Sequence, residues 1–238
     1  MKQHQAMLAD DILPPFTGFP PEGLTFLRRL KKNNNRPWFQ KHKQEYEELL
    51  LLPMRSLIAT LAAEMAGVAP EIEFNPRRSI FRIYRDVRFS KNKDPYKTNI
   101  AAVFKWRGMK GATEAPGLYL GIELEEIYIG GGVYLPSGDQ LKAFRRSMAE
   151  RPEDFLSVVN NRNFRRRFGG IEGERLQRVP AGFPPDHPMR EHLKHKQFYA
   201  GVELKPDACL HPRFVRQAVD TYVGVLPLVR WLARAMER

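Results

Sequence analysis

The sequence predicts a single α+β domain, with an antiparallel sheet of about four or five strands and flanking helices. Three observations predict it: helical spacing of apolar residues before Gly67, a period of two between Ile80 and Leu135, and helical spacing again from Ser137 onward. Helices, then a run of strands, then helices is not the rhythm of repeated βαβ units. The domain is expected to run from 16 to 238, after a flexible lead over 1–15 that ends at Pro14-Pro15.

The elements follow in order. Leu24, Leu27 and Leu30 recur at helical spacing, and Asn33-Asn34-Asn35 stops that helix. Asn35 suits the N-cap of the next helix and Pro37 its first turn; Trp38, Phe39, His42, Tyr46, Leu49 and Leu50 form its apolar stripe. A third helix is expected from Pro53, closing at Gly67. Alternation over Ile80–Phe89 predicts a strand, with the turn SKNKDPY before a second strand, KTNIAAVFKW. GLYLGIEL and EIYIGGGVYL predict a hairpin, although Glu125-Glu126 lacks the glycine of a tight turn. Ser137 with Gln140 fits a capping box, and Pro152 fits the start of a short helix. The segment from Asn160 to Pro188 reads as basic loop with a few short elements. MREHLKHK is expected as a brief helix with Asp186 as its cap, QFYAGVEL as a strand, and the end as a helix bent at Pro227.

Composition narrows the function classes. Hydrophobic residues at 42% of 238 suffice for a sizeable core, and the net charge of +12 favours anionic partners, nucleic acid among them. Cys209 is the single cysteine, which excludes an internal disulfide and a cysteine-built zinc site. No apolar run approaches the ~20 residues of a membrane span, and the first residues lack a signal-peptide core, so a cytoplasmic setting without membrane contact is the expectation.

The unusual chemistry lies in FRIYRDVRFSKNKDPYKTN, Phe81–Asn99. Alternation puts Arg82, Tyr84, Asp86 and Arg88 on one face, and Phe81, Ile83, Arg85, Val87 and Phe89 on the other. Arg85 therefore stands among apolar residues, where a guanidinium needs a carboxylate, carbonyls or a bound anion. Three readings remain open: an ion pair with another element, a bidentate contact to an anionic ligand, or a bulge that turns Arg85 outward. Ser90, Lys91, Lys93, Tyr96, Lys97, Thr98 and Asn99 add donors suited to phosphate or carboxylate oxygens.

Several stretches together carry a resemblance: FTGFPPEGLTFLRRLKKNNNRPWFQKHKQEYEE, RSIFRIYRDVRFSKNKDPYKTNIAAVF, APGLYLGIE, GGGVYLP and GFPPDHPMREHLKHKQF. In these the chain resembles a widespread bacterial and fungal family of conserved hypothetical proteins, a domain of unknown function with the signature FRIYRDxRFSKxKxPYKT. The resemblance runs from about Phe16 to the last helix. It implies one domain and brings no activity, substrate or cofactor. The matching positions are Asn34, Trp38, Phe39, Arg82, Tyr84, Arg85, Asp86, Arg88, Phe89, Ser90, Lys93, Pro95, Tyr96, Lys97, Asp186 and His187; Asn92 stands where the family carries aspartate.

The sequence thus points to an anion-binding domain, as a binder or an enzyme, with Arg82, Arg85, Asp86, Arg88, Ser90, Lys93 and Lys97 around a phosphorylated or carboxylated small molecule. Tyr84, Tyr96 and His187 are the groups available for proton transfer. A second reading is nucleic-acid binding through the same turn and the basic run Arg162, Arg165, Arg166, Arg167. A third makes the motif a buried ion-pair core in an interaction protein. His192 and His195 lie three apart without the carboxylate of a metal motif, so neither metal nor cofactor is expected. Gly130-Gly131-Gly132 has the wrong spacing for a nucleotide fingerprint and is expected to mark a bulge or a close backbone approach.

Overall fold

The computed structural model describes residues 13–88 and 90–237. Most of the lead expected over 1–15 lies outside the described residues, as does Phe89.

Helix α1, Pro21–Lys32, starts on proline, carries Glu22 in its first turn and Arg29, Lys31 and Lys32 in its last, and so matches its dipole at both ends. It buries Leu24, Phe26, Leu27 and Leu30. Asn35 caps α2, Arg36–Lys41, by accepting the Trp38 amide at 3.0 Å. Helix α3, Lys43–Tyr46, runs through a π turn, Glu47–Leu51, into α4, Leu52–Met65. Pro53 therefore does not open a separate helix. It lacks an N–H and its ring crowds the carbonyl four residues back, and the wider π turn absorbs both.

Five antiparallel strands follow in the spatial order of the chain: β1 Ile72–Glu73, β2 Ile100–Trp106, β3 Gly117–Ile122, β4 Ile127–Val133 and β5 Phe198–Leu204. Between β4 and β5 lie α5 Gly138–Glu150, α6 Pro152–Val159, α7 Arg162–Phe168 and α8 Arg190–Leu193. The Ser137–Gln140 capping box that opens α5 is formed in both directions. Helix α9, Phe214–Met236, continues through Pro227 and closes the chain. On one face of the sheet Ile100, Ala102, Phe104, Leu118, Leu120, Ile122, Ile127, Ile129, Phe198 and Ala200 are buried in the core that α9 completes. A Cβ on Gly131 would meet Val225 of α9 at 3.0 Å, so the helix lies directly on β4. Among the described residues no helix is long and apolar enough to cross a membrane.

Two further expectations need correction. The segment Ile80–Arg88 is extended but is not a sheet strand: it makes only the isolated bridges Ile80 with Ala102 and Tyr84 with Tyr96. Pro95 has no amide to continue the ladder, and the charged tip beyond it satisfies its backbone with side chains. Arg162–Phe168 is one of the short elements expected in the basic stretch, a helix. Asn161 caps it, accepting the amides of Asn163 and Phe164, while Phe164 and Phe168 pack rings 5.0 Å apart one turn on. Second, Asp186 does not cap α8. His187 Nδ1 accepts the Met189 amide at 3.0 Å instead.

Candidate functional site

The motif hairpin is pinned at both ends by backbone pairing and in its middle by one side chain. The Phe81 amide donates to Ala101, Arg85 to the Pro95 carbonyl, and Lys97 to the Ile83 carbonyl, at 2.8–2.9 Å. Asn34, in the loop between α1 and α2, donates from Nδ2 to the Tyr96 carbonyl at 3.0 Å and accepts the Tyr96 amide on Oδ1 at 3.1 Å. A side-chain amide thus stands in for a strand partner. Tyr96 is 1% exposed, its ring stacked on Phe39 at 4.1 Å. Burial pushes its phenol up, and Tyr84 reinforces the shift.

Alternation survives without the strand. Ile83 is buried, while Arg82, Tyr84, Asp86 and Arg88 are exposed. Arg85 is half-buried, and among the described residues no carboxylate pairs with its guanidinium. Two of the outward charges are spent on one another. Arg88 grips Asp86 through Nε at 3.0 Å and Nη2 at 2.7 Å, and with the Arg88 amide this holds the Asp86 carboxyl down at about 2. Lys93 donates to the Val87 carbonyl at 3.0 Å, and Ser90 is half-buried.

Lys97 is placed differently. Its ammonium lies over the Phe81 ring at 5.1 Å, half-buried, with no carboxylate partner among the described residues. Lost hydration, and then the positive charge of Arg82, lower its pKa.

What Lys97 faces was not read from the sequence. The sheet face away from α9 carries glycines and tyrosines in alternation. The strand register sets Ala101, Gly121, Tyr128 and Glu203 in one row, and Val103, Tyr119, Gly130 and Gly201 in the next. The rings lie down over the glycines: a Cβ on Gly121 would meet the Tyr119 Oη at 2.5 Å, and one on Gly201 the Tyr128 Cζ at 2.5 Å. Side-chain-free positions are therefore what let the tyrosine side chains cross the backbone of this face. At Gly132, with φ of 140°, a Cβ would run into the Phe198 carbonyl at 2.1 Å, which is the close backbone approach expected of the glycine run.

Over this face runs a groove of about 570 Å³, within the size range of small-molecule sites. Phe81, Lys97 and Asn99 form its β2 side, and Glu172, Tyr199 and Glu203 its β5 side. Tyr119 and Tyr128 form the floor, with Tyr134 also lining the groove. Glu172 is fixed on one oxygen, which accepts the Tyr128 hydroxyl at 3.0 Å and the Gly201 amide at 2.9 Å. Burial, then the Glu172 charge, drives the Tyr128 phenol far up; burial drives Tyr119 up to about 12. Both stay protonated, as donors rather than bases.

Of the residues singled out by the sequence for ligand contact or proton transfer, Lys97 and Asn99 line the groove, and Lys97 is the charged one. Tyr96 is a packed anchor, Tyr84 is half-exposed beside it at 5.5 Å between rings, and His187 holds the start of α8. The basic run of α7 is tied locally, Arg165 to Asn160, Arg166 to Asn163 and Arg167 to Thr221. A second hollow, of about 710 Å³, opens beside it between α6, α7 and α9. Among the described residues no group of three or more His, Cys, Asp and Glu side chains is arranged to hold a metal.

No curated protein matches the chain. The model of one family, the conserved hypothetical proteins DUF2461, matches residues 22–231, which takes in every strand, the motif hairpin and the groove. The chain belongs to that DUF2461 family.

Proposed function

We propose that the protein binds an anionic small molecule on the open face of its sheet, with Lys97 as the contact to the anion. The observation that carries this reading is the state of Lys97: half-buried at the groove wall, short of water, and without a carboxylate partner among the described residues. An ammonium in that position gains from an incoming anion what it has lost in hydration. Arg82 adds positive potential nearby, whereas Asp86 and Arg88 largely cancel one another. The tyrosine floor supplies apolar surface and hydroxyl donors for the rest of the ligand.

Thermal unfolding against a panel of phosphorylated and carboxylated metabolites tests it. A ligand at a hundred times its dissociation constant adds about 2.7 kcal/mol, which raises Tm by roughly 5–10 °C in a domain of this size. Lys97→Met abolishes that rise for the hits while leaving the unliganded protein folded. A panel without hits, or hits that persist in Lys97→Met, overturns the reading.

A further inference from the structure

Lys97 is the one cation among the described residues lining the groove, against the carboxylates of Glu126, Glu172 and Glu203, and this polarity indicates more than an anion. The cation stands on the β2 side, while Glu172 and Glu203 stand on the β5 side. Three strand spacings separate these edges, about 14 Å between backbones, and the long side chains reach into that gap. Glu172 spends one oxygen on Tyr128 and Gly201. Neither its second oxygen nor the carboxylate of Glu203 has a donor among the described residues. Between the two edges lie the tyrosine rings that cross the glycines, Tyr119 and Tyr128 inclined to one another at 51°.

Each feature selects a ligand part. Carboxylate oxygens in need of donors accept from hydroxyls through charge-assisted bonds. Aromatic faces are electron-rich and attract the weakly positive C–H groups of a saturated ring. Lys97 takes a phosphate or carboxylate.

We infer that the ligand is an anionic carbohydrate, a sugar phosphate or sugar acid. Its acid group lies at Lys97, its ring on Tyr119 and Tyr128, and its hydroxyls at Glu203 and Glu172. The inference rests on the anion-binding reading and narrows it.

Two other classes fit less well. A run of stacked nucleobases needs parallel platforms, and here Tyr119 and Tyr128 are inclined at 51° and Tyr128 and Tyr199 at 76°. A phosphate backbone also brings several charges that Lys97 alone does not offset against the carboxylates of Glu126, Glu172 and Glu203. An α-amino acid carries both charges on one carbon, too close together to meet Lys97 and Glu203 on opposite sides.

Titration calorimetry with glucose 6-phosphate, glucuronate, glucose, inorganic phosphate and adenosine monophosphate decides the matter, using wild type, Lys97→Met and Glu203→Gln. At least one of the two anionic sugars binds ten-fold or more tighter than glucose, phosphate and the nucleotide. Lys97→Met reduces its affinity to that of glucose, and Glu203→Gln weakens it at least five-fold while leaving weak phosphate binding unchanged. If the nucleotide or phosphate binds as tightly as the sugars and depends on Lys97, the carbohydrate inference falls and anion binding stands. A sugar that binds without dependence on Glu203 also overturns the inference. Binding that ignores Lys97, or no binding of any anion, overturns both.

Discussion

Asn34 offers the sharpest test of how the motif hairpin is held. Its side-chain amide makes two bonds to the backbone of Tyr96, at 3.0 and 3.1 Å, and Tyr96 is 1% exposed. Asn34→Ala removes both partners and leaves a buried amide and carbonyl without replacements. Each orphaned group costs about 1–3 kcal/mol, so a loss of roughly 3 kcal/mol is expected with partial relaxation, seen as a fall in Tm of about 6–12 °C. Asn34→Asp separates the two bonds. The introduced carboxylate still accepts the Tyr96 amide, but its other oxygen then confronts the Tyr96 carbonyl, and only the protonated acid donates there. The folded state thus favours the neutral acid and raises its pKa. The stability associated with a raised pKa is fully present below the unfolded value, near 4, and is lost as pH rises through the folded value. Urea unfolding of both variants beside wild type, at pH 5 and pH 8, reads the difference. Asn34→Asp should lie closer to wild type at pH 5 than at pH 8, while the deficit of Asn34→Ala should not depend on pH. An Asn34→Ala protein within 0.5 kcal/mol of wild type, or a pH-independent gap for Asn34→Asp, refutes the clamp.

Other expectations follow from the same coordinates. His195 is 1% exposed, its Nδ1 has no partner among the described residues, and burial, then Arg175 and His192, lower its pKa to about 4. The unfolded chain takes up that proton near pH 6.5 and the folded protein does not, so stability is full above pH 6.5 and falls by about 3 kcal/mol towards pH 4. His195→Phe should flatten this part of the wild-type profile in urea unfolding, and an unchanged slope contradicts the assignment. Gly201→Ala places a methyl 2.5 Å from the Tyr128 ring and 2.6 Å from the Ile129 carbonyl. It should destabilise by about 1–3 kcal/mol in chemical unfolding, and a neutral result means the ring does not lie over the glycine. Tyr128→Phe removes one of the two donors to Glu172 and should cost roughly 1–2 kcal/mol. An unchanged midpoint argues against that bond.

The fold was legible where periodicity is local. Leu24, Leu27 and Leu30 announce α1, Asn35 and Ser137 announce caps, and the aliphatic positions of β3 and β4 announce the core face. Ile80–Arg88 misled because alternation records which side chains face inward, not whether the backbone finds a ladder. Lys97 was singled out as one cation among several; its distinct role appears only when Phe81 and the groove wall surround it. The groove itself was missed. Reading GLYLGIEL for its leucines passes over Gly117, Tyr119 and Gly121 on the opposite face, and EIYIGGGVYL likewise hides Tyr128 and Gly130. Their shared alternation of glycine and tyrosine was a usable signal, but that Tyr119 sits beside Gly130 depends on strand register, a tertiary quantity. Glu172 comes from a stretch without periodicity and gave no signal at all.

The most direct test of the central claim uses protein labelled with ¹³C in its tyrosine rings and titrated with glucose 6-phosphate and glucuronate. The ring signals of Tyr119, Tyr128 and Tyr199 should move together with a single dissociation constant, while the core ring of Tyr222 stays still. If those three rings stay fixed through both titrations, or if only signals remote from the open sheet face respond, that face is not the binding site.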